Sequence, residues 1–311
     1  MNIGIIDIGT NTTRLLVKDP KTNLDILRQI SLTRLGENLE TNGCLSQEAM
    51  VRTKNQVEKF VSIAHANEVE IVKIFATAGC RQSSNGQEFI DSLNSIEKAE
   101  ATIIDGEAEA QFSFKGALGG FDMTNVALPV GVIDIGGGST EIAVSNIADP
   151  NECNTFVSIP IGSAKLIERY IHSDPPLPEE LTNAIGDVRD SLSNAMLENP
   201  IISKVKSFIG VAATFTTSAA VEIGLKEFSF ERLHGYVLTR EMVEEIFRTL
   251  VLEDLESRKF NPGLEPERAQ LIVGGLCILV AIVRQFNLSQ ISVSCTDLLD
   301  GLYKGELANQ A

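Results

Sequence analysis

The sequence predicts an α/β protein made of two like domains, and three observations support this. Apolar runs of strand length alternate with longer segments of helical periodicity along the 311 residues. Residues 132–141 have the pattern of a strand, a glycine-rich turn and a second strand. The same pattern occurs 127 positions earlier, at residues 5–14, which indicates an internal repeat and hence two related domains.

The repeat aligns Asp7 with Asp134 and runs without a gap, so each copy supplies one glycine-containing hairpin. Residues on both sides of the aspartate match. The pairs are Gly4 and Gly131, Ile6 and Ile133, Ile8 and Ile135, Gly9 and Gly136, Thr13 and Thr140, and Val17 and Val144.

The first copy predicts the order β-β-β-α-β-α-β-α. Its three leading strands are apolar and joined by short turns. A longer helix follows, capped by Ser46 and carrying apolar residues at helical spacing. The predicted elements are strands at 2–8, 12–18, 24–32, 71–77 and 101–104, and helices from the Ser46 cap to about 67, at 85–93 and at 107–118.

The second copy begins near Val130. Its longest apolar run, 271–283, is too short to span a bilayer and therefore predicts a buried helix. The predicted elements are strands at 130–135, 139–145, 155–159, 207–209 and 291–293, and helices at 163–171, 178–198, after Gly210, at 240–250, at 267–286 and from Asp297.

Composition excludes several classes of function. The chain has 26 Lys and Arg against 42 Asp and Glu, a net charge of −16, which argues against nucleic-acid binding. Its five cysteines are scattered and form no CxxC pair, so reduced thiols are expected and a zinc site is not. Met1 leads directly into a predicted strand without a signal peptide. We therefore expect a cytoplasmic protein with no membrane partner.

The two glycine-containing turns are candidate phosphate sites, because successive N–H groups in such turns can surround an anion. Carboxylates beside them, Asp134, Glu141 and Asp7, are candidate ligands of a hard cation such as Mg²⁺. The alternative is an ordinary hairpin, with aspartates that bind turn amides and an exposed glutamate on the strand. The candidate phosphate-binding residues are Gly9, Thr10, Asn11, Thr12, Gly136, Gly137, Gly138 and Ser139.

Further stretches narrow the interpretation, and in their order they resemble the exopolyphosphatase/guanosine pentaphosphate phosphatase family, called Ppx/GppA. The likeness runs from Ile3 to about Gly301. The stretches are 76–85 (ATAGCRQSSN), 103–110 (IIDGEAEA), 161–163 (IGS), 210–214 (GVAAT), 234–235 (HG) and 262–268 (PGLEPER).

This resemblance implies two ribonuclease-H-like domains of the actin, sugar kinase and Hsp70 superfamily around a central cleft. The first domain would comprise residues 1–126 and the second 127–296, with the last helix, 297–311, returning to the first domain. The chain corresponds to the short form of the family, because the helical extension and His-Asp domain of longer members have no counterpart before residue 311.

The resemblance also implies an activity, the Mg²⁺-dependent hydrolysis of the terminal phosphate of inorganic polyphosphate. Guanosine pentaphosphate is the alternative substrate, served by the same residues. Glu109 would orient and deprotonate the attacking water, with Glu107 as the less favoured candidate. Arg81 would bind phosphate oxygens, with Arg14 and Lys115 as weaker candidates.

The acidic net charge predicts a preference for short polyphosphate chains. Whether K⁺ activates the protein and whether the chain forms a homodimer are left open. We expect His234 to be structural.

Two stretches depart from the family pattern. The turn at 210–214 reads Gly-Val-Ala-Ala-Thr, where the family usually has Gly-Thr-Ala-Thr-Thr, and Ala108 stands in the usual Glu-Glu-Ala. Two further functions therefore stay open, a non-catalytic sensor of polyphosphate or alarmones and a small-molecule kinase of the same superfamily.

Overall fold

The computed structural model describes residues 1–121, 126–147 and 153–310. The chain divides into two compact units. Unit 1 is formed by Met1–Phe112 and the C-terminal segment from Leu299, and unit 2 by Ser113–Leu298. The expected domain limits at 126 and 127 border the undescribed residues 122–125 and stay a prediction.

Unit 1 is built on a five-stranded sheet in the order β3-β2-β1-β4-β5. The first three strands form an antiparallel meander, and β4 and β5 run parallel to β1. Because β1 is central, its residues from Ile3 to Ile8 are buried. The strands are β1 (Asn2–Ile8), β2 (Thr12–Lys18), β3 (Asp25–Leu32), β4 (Val69–Ala76) and β5 (Ala99–Ile103).

The three longer helices of this part of the chain follow the predicted pattern, whereas two four-residue helices were not predicted. Ser46 caps the long helix α2, since its Oγ accepts a hydrogen bond from the N–H of Ala49 at 3.1 Å. The buried face of α2 includes Val57, Phe60 and Val61, in agreement with the helical spacing. The helices are α1 (Leu39–Asn42), α2 (Gln47–Ala66), α3 (Ala78–Arg81), α4 (Gly86–Leu93) and α5 (Gly106–Ala117), of which α5 continues into unit 2.

Unit 2 is built on a six-stranded sheet in the order β10-β11-β9-β6-β7-β8. Strands β6, β7 and β8 form an antiparallel meander, and β9 and β11 run parallel to β6. The strands are β6 (Val130–Ile135), β7 (Thr140–Ser145), β8 (Cys153–Ile159), β9 (Ser207–Val211), β10 (Val237–Thr239) and β11 (Gln290–Val293).

The helices of unit 2 cover this sheet, and the most apolar of them, α12, is buried from Ile272 to Val283. This confirms the buried helix predicted from the apolar run. The helix begins at Ile272 rather than 267, because a short 3₁₀ turn at Pro266–Arg268 precedes it. The helices are α6 (Ser163–Tyr170), α7 (Pro178–Glu198), α8 (Ala213–Ile223), α9 (Phe230–Leu233), α10 (Arg240–Leu252), α11 (Leu255–Arg258) and α12 (Ile272–Gln285).

The last helix, α13 (Leu298–Gln310), packs in unit 1 almost throughout. Arg28 of β3 holds Asp300 of this helix with two hydrogen bonds of 2.9 and 3.0 Å. Gly301 lies so close to the main-chain oxygen of Phe112 that a side chain there would collide with it. The ion pair and the close glycine contact together hold α13 against the rest of unit 1.

The two sheets share one plan, an antiparallel meander of three strands followed by two strands parallel to the first. The prediction of an α/β protein with two like ribonuclease-H-like domains is therefore confirmed at the level of topology. In the described part of the chain no helix is long and apolar enough to cross a membrane.

Candidate active site

In unit 1 the turn between β1 and β2 presents two backbone N–H groups. The N–H of Gly9 donates to the oxygen of Thr12 at 2.9 Å and closes the turn. The carbonyl oxygens of Thr10 and Asn11 accept hydrogen bonds of 2.8–2.9 Å from N–H groups of the segment 33–36. Because the C=O and N–H of a trans peptide point in opposite directions, the N–H groups of Asn11 and Thr12 point away from this segment.

The equivalent turn of unit 2 has the same construction. The N–H of Gly136 donates to the oxygen of Ser139 at 3.0 Å. The carbonyl oxygens of Gly136 and Gly137 accept hydrogen bonds from the first turn of α6, the shortest two being 2.9 Å. The N–H groups of Gly137 and Gly138 therefore point away from α6.

These turns can bind an anion, since each offers consecutive N–H groups that lack an acceptor among the described residues. In unit 1 the side-chain nitrogen Nδ2 of Asn11 is also buried without an acceptor in that part of the chain. The oxygens of a bound phosphate could accept hydrogen bonds from the donors of either turn. The geometry thus fits the predicted phosphate-binding role of both turns.

Glycines let neighbouring elements approach the turns closely. A Cβ on Gly79 in α3 would lie 3.3 Å from Cα of Thr10, and one on Gly162 would lie 2.5 Å from the oxygen of Gly137. In unit 1 this approach places α3, and with it Arg81 at the end of α3, beside the first turn. In unit 2 it places the start of α6 against the second turn.

Arg81 and Glu109 form an ion pair in unit 1. Nη1 of Arg81 donates to Oε2 of Glu109 at 2.8 Å and to the main-chain oxygen of Ile104 at 3.0 Å. Only 8% of Glu109 is exposed. The guanidinium of Arg81 compensates this buried charge, while its Nε and Nη2 have no acceptor among the described residues and can bind phosphate oxygens.

The start of α5 explains why Glu109 rather than Glu107 is buried. Asp105 precedes the helix, and its Oδ1 accepts a hydrogen bond from the N–H of Ala108 at 2.7 Å. With the helix start fixed by this cap, Glu107 is exposed and Glu109 lies on the inner side. This geometry favours Glu109 as the carboxylate with a chemical role, which stays a prediction.

A pair of carboxylates, Asp134 and Glu141, lies in unit 2. They are directly opposite each other on β6 and β7, and they are 9% and 3% exposed. Directly opposite residues of an antiparallel pair lie on the same face of the sheet. Oδ2 of Asp134 accepts a hydrogen bond of 3.0 Å from Oγ of Ser113, and Oε1 of Glu141 accepts one of 2.8 Å from Oγ of Ser158. Two buried like charges in this arrangement favour a bound cation.

In unit 1 the equivalent pair has a different character. Arg14 stands at the position equivalent to Glu141, opposite Asp7 in the register of β1 and β2. Nη2 of Arg14 lies 2.7 Å from Oδ2 of Asp7, and Nε lies 2.9 Å from the same oxygen. The guanidinium therefore already neutralises Asp7, so a metal role for Asp7 has less support than one for Asp134.

The remaining predicted residues lie outside these clusters. Lys115 is exposed on α5. His234 packs at 4.8 Å against the rings of Phe121 and Phe230, and its Nδ1 accepts the N–H of Cys295 at 3.2 Å, as suits a structural histidine. In the described part of the chain no three His, Cys, Asp or Glu side chains are grouped to hold a metal ion by themselves.

The sequence profile of the Ppx/GppA phosphatase family matches residues 17–310. The chain belongs to this family. As a Ppx/GppA protein it is 29% identical over 315 residues to exopolyphosphatase 2 of Mycobacterium tuberculosis, covering 96% of this chain and 97% of that relative.

Solved structures agree with this assignment. An exopolyphosphatase from Cytophaga hutchinsonii is 27% identical, with a TM-score of 0.88 over 99% of this Ppx/GppA chain and 98% of the other. An exopolyphosphatase-like protein with a TM-score of 0.93 covers the whole of both chains at 24% identity, which supports the fold alone.

Two features of this Ppx/GppA site escape prediction from the sequence. Ser113 and Ser158 were not predicted to contact the carboxylates, because hydroxyl residues are common and only the sheet register identifies Ser158 as the residue opposite Glu141. Lys165, in the first turn of α6, is 9% exposed. A lysine at a helix start ordinarily faces solvent, so its burial carries no sequence signal.

The departure at the turn 210–214 has a structural consequence. Ala212, just before α8, has φ of 68° and ψ of −175°. This backbone region is populated almost only by glycine, so the alanine is strained.

Cys80, between Gly79 and Arg81, is chemically inert despite its position. Burial raises the pKa of its thiol to about 12, and a protonated thiol is a poor nucleophile.

Proposed function

We propose that the chain is an exopolyphosphatase that hydrolyses the terminal phosphate of inorganic polyphosphate. The observation that carries this proposal is the Arg81–Glu109 ion pair, in which a buried carboxylate is held by a partly exposed cation that has further donors for phosphate oxygens. Membership of a phosphatase family and likeness to proteins named exopolyphosphatases support it. Guanosine pentaphosphate is the alternative substrate, because its terminal phosphate would make the same contacts.

The roles in the reaction follow from the donors that each element offers. Phosphoryl transfer depends mainly on positioning and on neutralising charge. The N–H groups of the two turns and the free donors of Arg81 would hold phosphate oxygens. Glu109 would accept the proton of the water that attacks phosphorus. The products would be free phosphate and a polyphosphate chain shortened by one unit. Arg81 fixes the orientation of Glu109 through Nη1.

Mg²⁺ is the cofactor that this proposal requires. Asp134 and Glu141 provide hard oxygen ligands side by side, and Mg²⁺ is commonly bound by one or two carboxylates together with water and substrate phosphates. The residues present therefore fit a magnesium ion without a third protein carboxylate. When bound, Mg²⁺ would neutralise charge on the phosphate oxygens. Asp7 as a further ligand and K⁺ as an activator stay predictions.

A phosphate-release assay tests the proposal. Long-chain polyphosphate, tripolyphosphate, guanosine pentaphosphate and ATP are compared, each with Mg²⁺ and with EDTA, and K⁺ is tested as an addition. We expect release from polyphosphate with Mg²⁺, and slower release from ATP. Preferred release from guanosine pentaphosphate would assign the alternative function. Tight binding of polyphosphate without any release would instead indicate a sensor.

A further inference from the structure

Arg52, an exposed residue of α2, binds the main chain of the segment that precedes this helix. Its Nε donates to the carbonyl oxygen of Thr33 at 2.6 Å, and its Nη2 donates to that of Arg34 at 3.1 Å. Nη2 also lies 3.0 Å from Oε2 of Glu37, but an exposed ion pair of this kind contributes little to stability. The guanidinium thus uses its donors mainly on two main-chain carbonyl groups.

The segment held in this way is the one that binds the carbonyl side of the unit 1 turn. The N–H groups of Thr33 and Arg34 both donate to the carbonyl oxygen of Asn11, at 2.9 and 2.8 Å. The N–H of Gly36 donates to the carbonyl oxygen of Thr10 at 2.8 Å. The two segments are packed closely, because a side chain on Gly36 would collide with Cγ2 of Thr10. The position of the segment 33–36 therefore sets the position of the turn.

The backbone of Arg34 needs support from its surroundings. Its φ is 49°, in the left-handed region that residues other than glycine rarely adopt. Such a conformation persists where neighbouring groups hold it. Arg52 binds the carbonyl groups of Thr33 and of Arg34, which belong to the peptide groups on either side of the Arg34 Cα atom. The guanidinium therefore stabilises this backbone conformation.

A chain of hydrogen-bonded peptide groups connects Arg52 to the anion side of the turn. The carbonyl of Thr33 and the N–H of Arg34 belong to one peptide group, so a cation bound to the carbonyl polarises the N–H. The N–H of Arg34 donates to the carbonyl of Asn11, and the same peptide group carries the N–H of Thr12. That N–H points to the anion side. A cation at one end of such a chain and an anion at the other polarise the bonds between them in the same direction.

The turn of unit 2 has the same polarity by a different construction. There the carbonyl oxygens of Gly136 and Gly137 accept hydrogen bonds from the first turn of α6. The N-terminus of a helix carries a partial positive charge. In unit 1 the carbonyl side of the turn contacts the segment 33–36 instead of a helix. Arg52 supplies there the positive charge that the helix supplies in unit 2.

We infer that Arg52 is a positioning residue for phosphate binding at the turn 9–12. Its two carbonyl contacts hold the segment 33–36, and its charge polarises the peptide groups that end in the N–H of Thr12. Arg52 itself touches no substrate in this assignment. The inference rests on the proposed function, because the phosphate in question is that of the substrate.

The test compares R52M and R52K with the wild-type chain in polyphosphate hydrolysis at saturating Mg²⁺. We expect KM to rise about three- to tenfold in R52M, the size of one hydrogen bond, with kcat changed less than about threefold. R52K keeps the charge but loses the forked contact, so its KM should lie between those of R52M and the wild type. K59M is the matched control, since Lys59 is an exposed cation on the same helix, and it should behave as wild type.

Two further measurements separate the carbonyl contacts from the surface ion pair. E37Q removes the carboxylate partner of Arg52 but leaves both carbonyl contacts, so its KM should match that of the wild type. NMR spectra of phosphate-saturated samples report on the N–H of Thr12 directly. Its proton signal should shift upfield in R52M, because its hydrogen bond weakens, and should keep the wild-type position in K59M.

Other outcomes would overturn the inference. An unchanged KM in a folded R52M, or an equal rise of KM in E37Q, would leave Arg52 a surface charge. If circular dichroism shows R52M to be unfolded, R52Q, a neutral donor, is measured in its place. If the wild-type chain binds tripolyphosphate but hydrolyses no polyphosphate, the proposed function fails. Calorimetry then tests Arg52 alone, and binding of tripolyphosphate that is about three- to tenfold weaker in R52M would support the inference, whereas equal binding would overturn it.

Discussion

Nη1 of Arg81 bridges Oε2 of Glu109, at 2.8 Å, and the main-chain oxygen of Ile104, at 3.0 Å. The contacts join the end of α3 to α5 and to the segment between β5 and α5, so the two side chains are positioned by packed elements rather than by one flexible loop. They also use only one nitrogen of the guanidinium. The same arginine can therefore orient the carboxylate and bind phosphate at once.

The first prediction concerns Glu109 itself. Replacing Glu109 with Gln keeps the size of the side chain and its hydrogen bond to Arg81, but it removes the proton acceptor. We expect kcat to fall by roughly 10²–10⁴-fold with little change in fold. Glu107→Gln is the control, because Glu107 is exposed and two positions away. An active Glu109→Gln with an inactive Glu107→Gln would transfer the role to Glu107.

The second prediction concerns the carboxylate pair of unit 2. Asp134→Asn and Glu141→Gln each remove one negative charge from the buried pair, so each should raise the Mg²⁺ concentration for half-maximal activity. We expect a rise of at least about tenfold, because losing even a residue that supports a metal ligand costs roughly 10–100-fold in affinity. Asp190→Asn is the control, since Asp190 is exposed on α7. Activity that persists in excess EDTA would contradict the metal requirement.

The sequence predicted the elements that carry a strong local pattern. The strands β1, β2 and β6 have the predicted limits, as does α7, because apolar alternation and Pro178 at the first helical position mark their ends. The helices α1, α3, α9 and α11 have four residues each and β10 has three, too few for a period to appear. Tertiary contacts rather than local pattern define these short elements.

The site residues were predictable where a glycine turn or a repeated aspartate marks them. They were less predictable where their role depends on side-chain contacts between distant residues. The repeat identified Asp134, and its register with Glu141 follows from a tight hairpin. The Arg14–Asp7 pair was not predicted. The alignment itself places Arg14 at the position of Glu141, but only the side-chain geometry reveals that the guanidinium binds the aspartate. Burial of Lys165 depends on the packing of α6, which no local pattern encodes.

The third prediction concerns the strained Ala212. Its φ of 68° with an extended ψ is a conformation that glycine adopts freely. Ala212→Gly should relieve strain of about 1–3 kcal/mol and lose less than about 1 kcal/mol to the greater freedom of the unfolded chain. We expect a net gain of about 1 kcal/mol in the free energy of unfolding, measured with urea. Ala213→Gly, at the first residue of α8, is the control and should give no gain in stability.

The fourth prediction concerns thiol reactivity. Burial raises the pKa of Cys80 and of Cys277 to about 12, against 9.0 for an unperturbed thiol. At pH 8 a disulfide reagent should therefore leave these two unmodified in the folded chain and reach all five cysteines after unfolding. Rapid modification of Cys80 in the folded chain would contradict its burial.

The raised pKa values also predict a pH dependence of stability. Below about pH 9 both thiols are protonated in either state and contribute no difference. Between about pH 9 and 12 they ionise in the unfolded chain only, so the unfolded state binds fewer protons and the free energy of unfolding falls as the pH rises. Replacing both cysteines with alanine should weaken this alkaline decrease.

The last prediction concerns the length of the polyphosphate chain. Every internal phosphate carries negative charge, so a protein that follows a long chain needs an extended track of cations. This chain has a net charge of −16, and several of its cations, including Arg28, Arg52 and Lys73, already pair with carboxylates. Repulsion by an acidic surface lowers the rate of association of an anion, whereas a local cluster of cations raises it.

The cation that the proposed function assigns to substrate is Arg81, enough for contact with a few phosphates near the chain end. We therefore expect short polyphosphates to be hydrolysed faster than long ones at equal concentrations of chain ends, with release of the substrate after few cleavages. Products are sized by gel electrophoresis, and a ladder of intermediate lengths should appear. If long chains disappeared faster and without intermediates, the surface would have to hold an extended track of cations. Phosphate binding at the turns alone would not explain such processive hydrolysis.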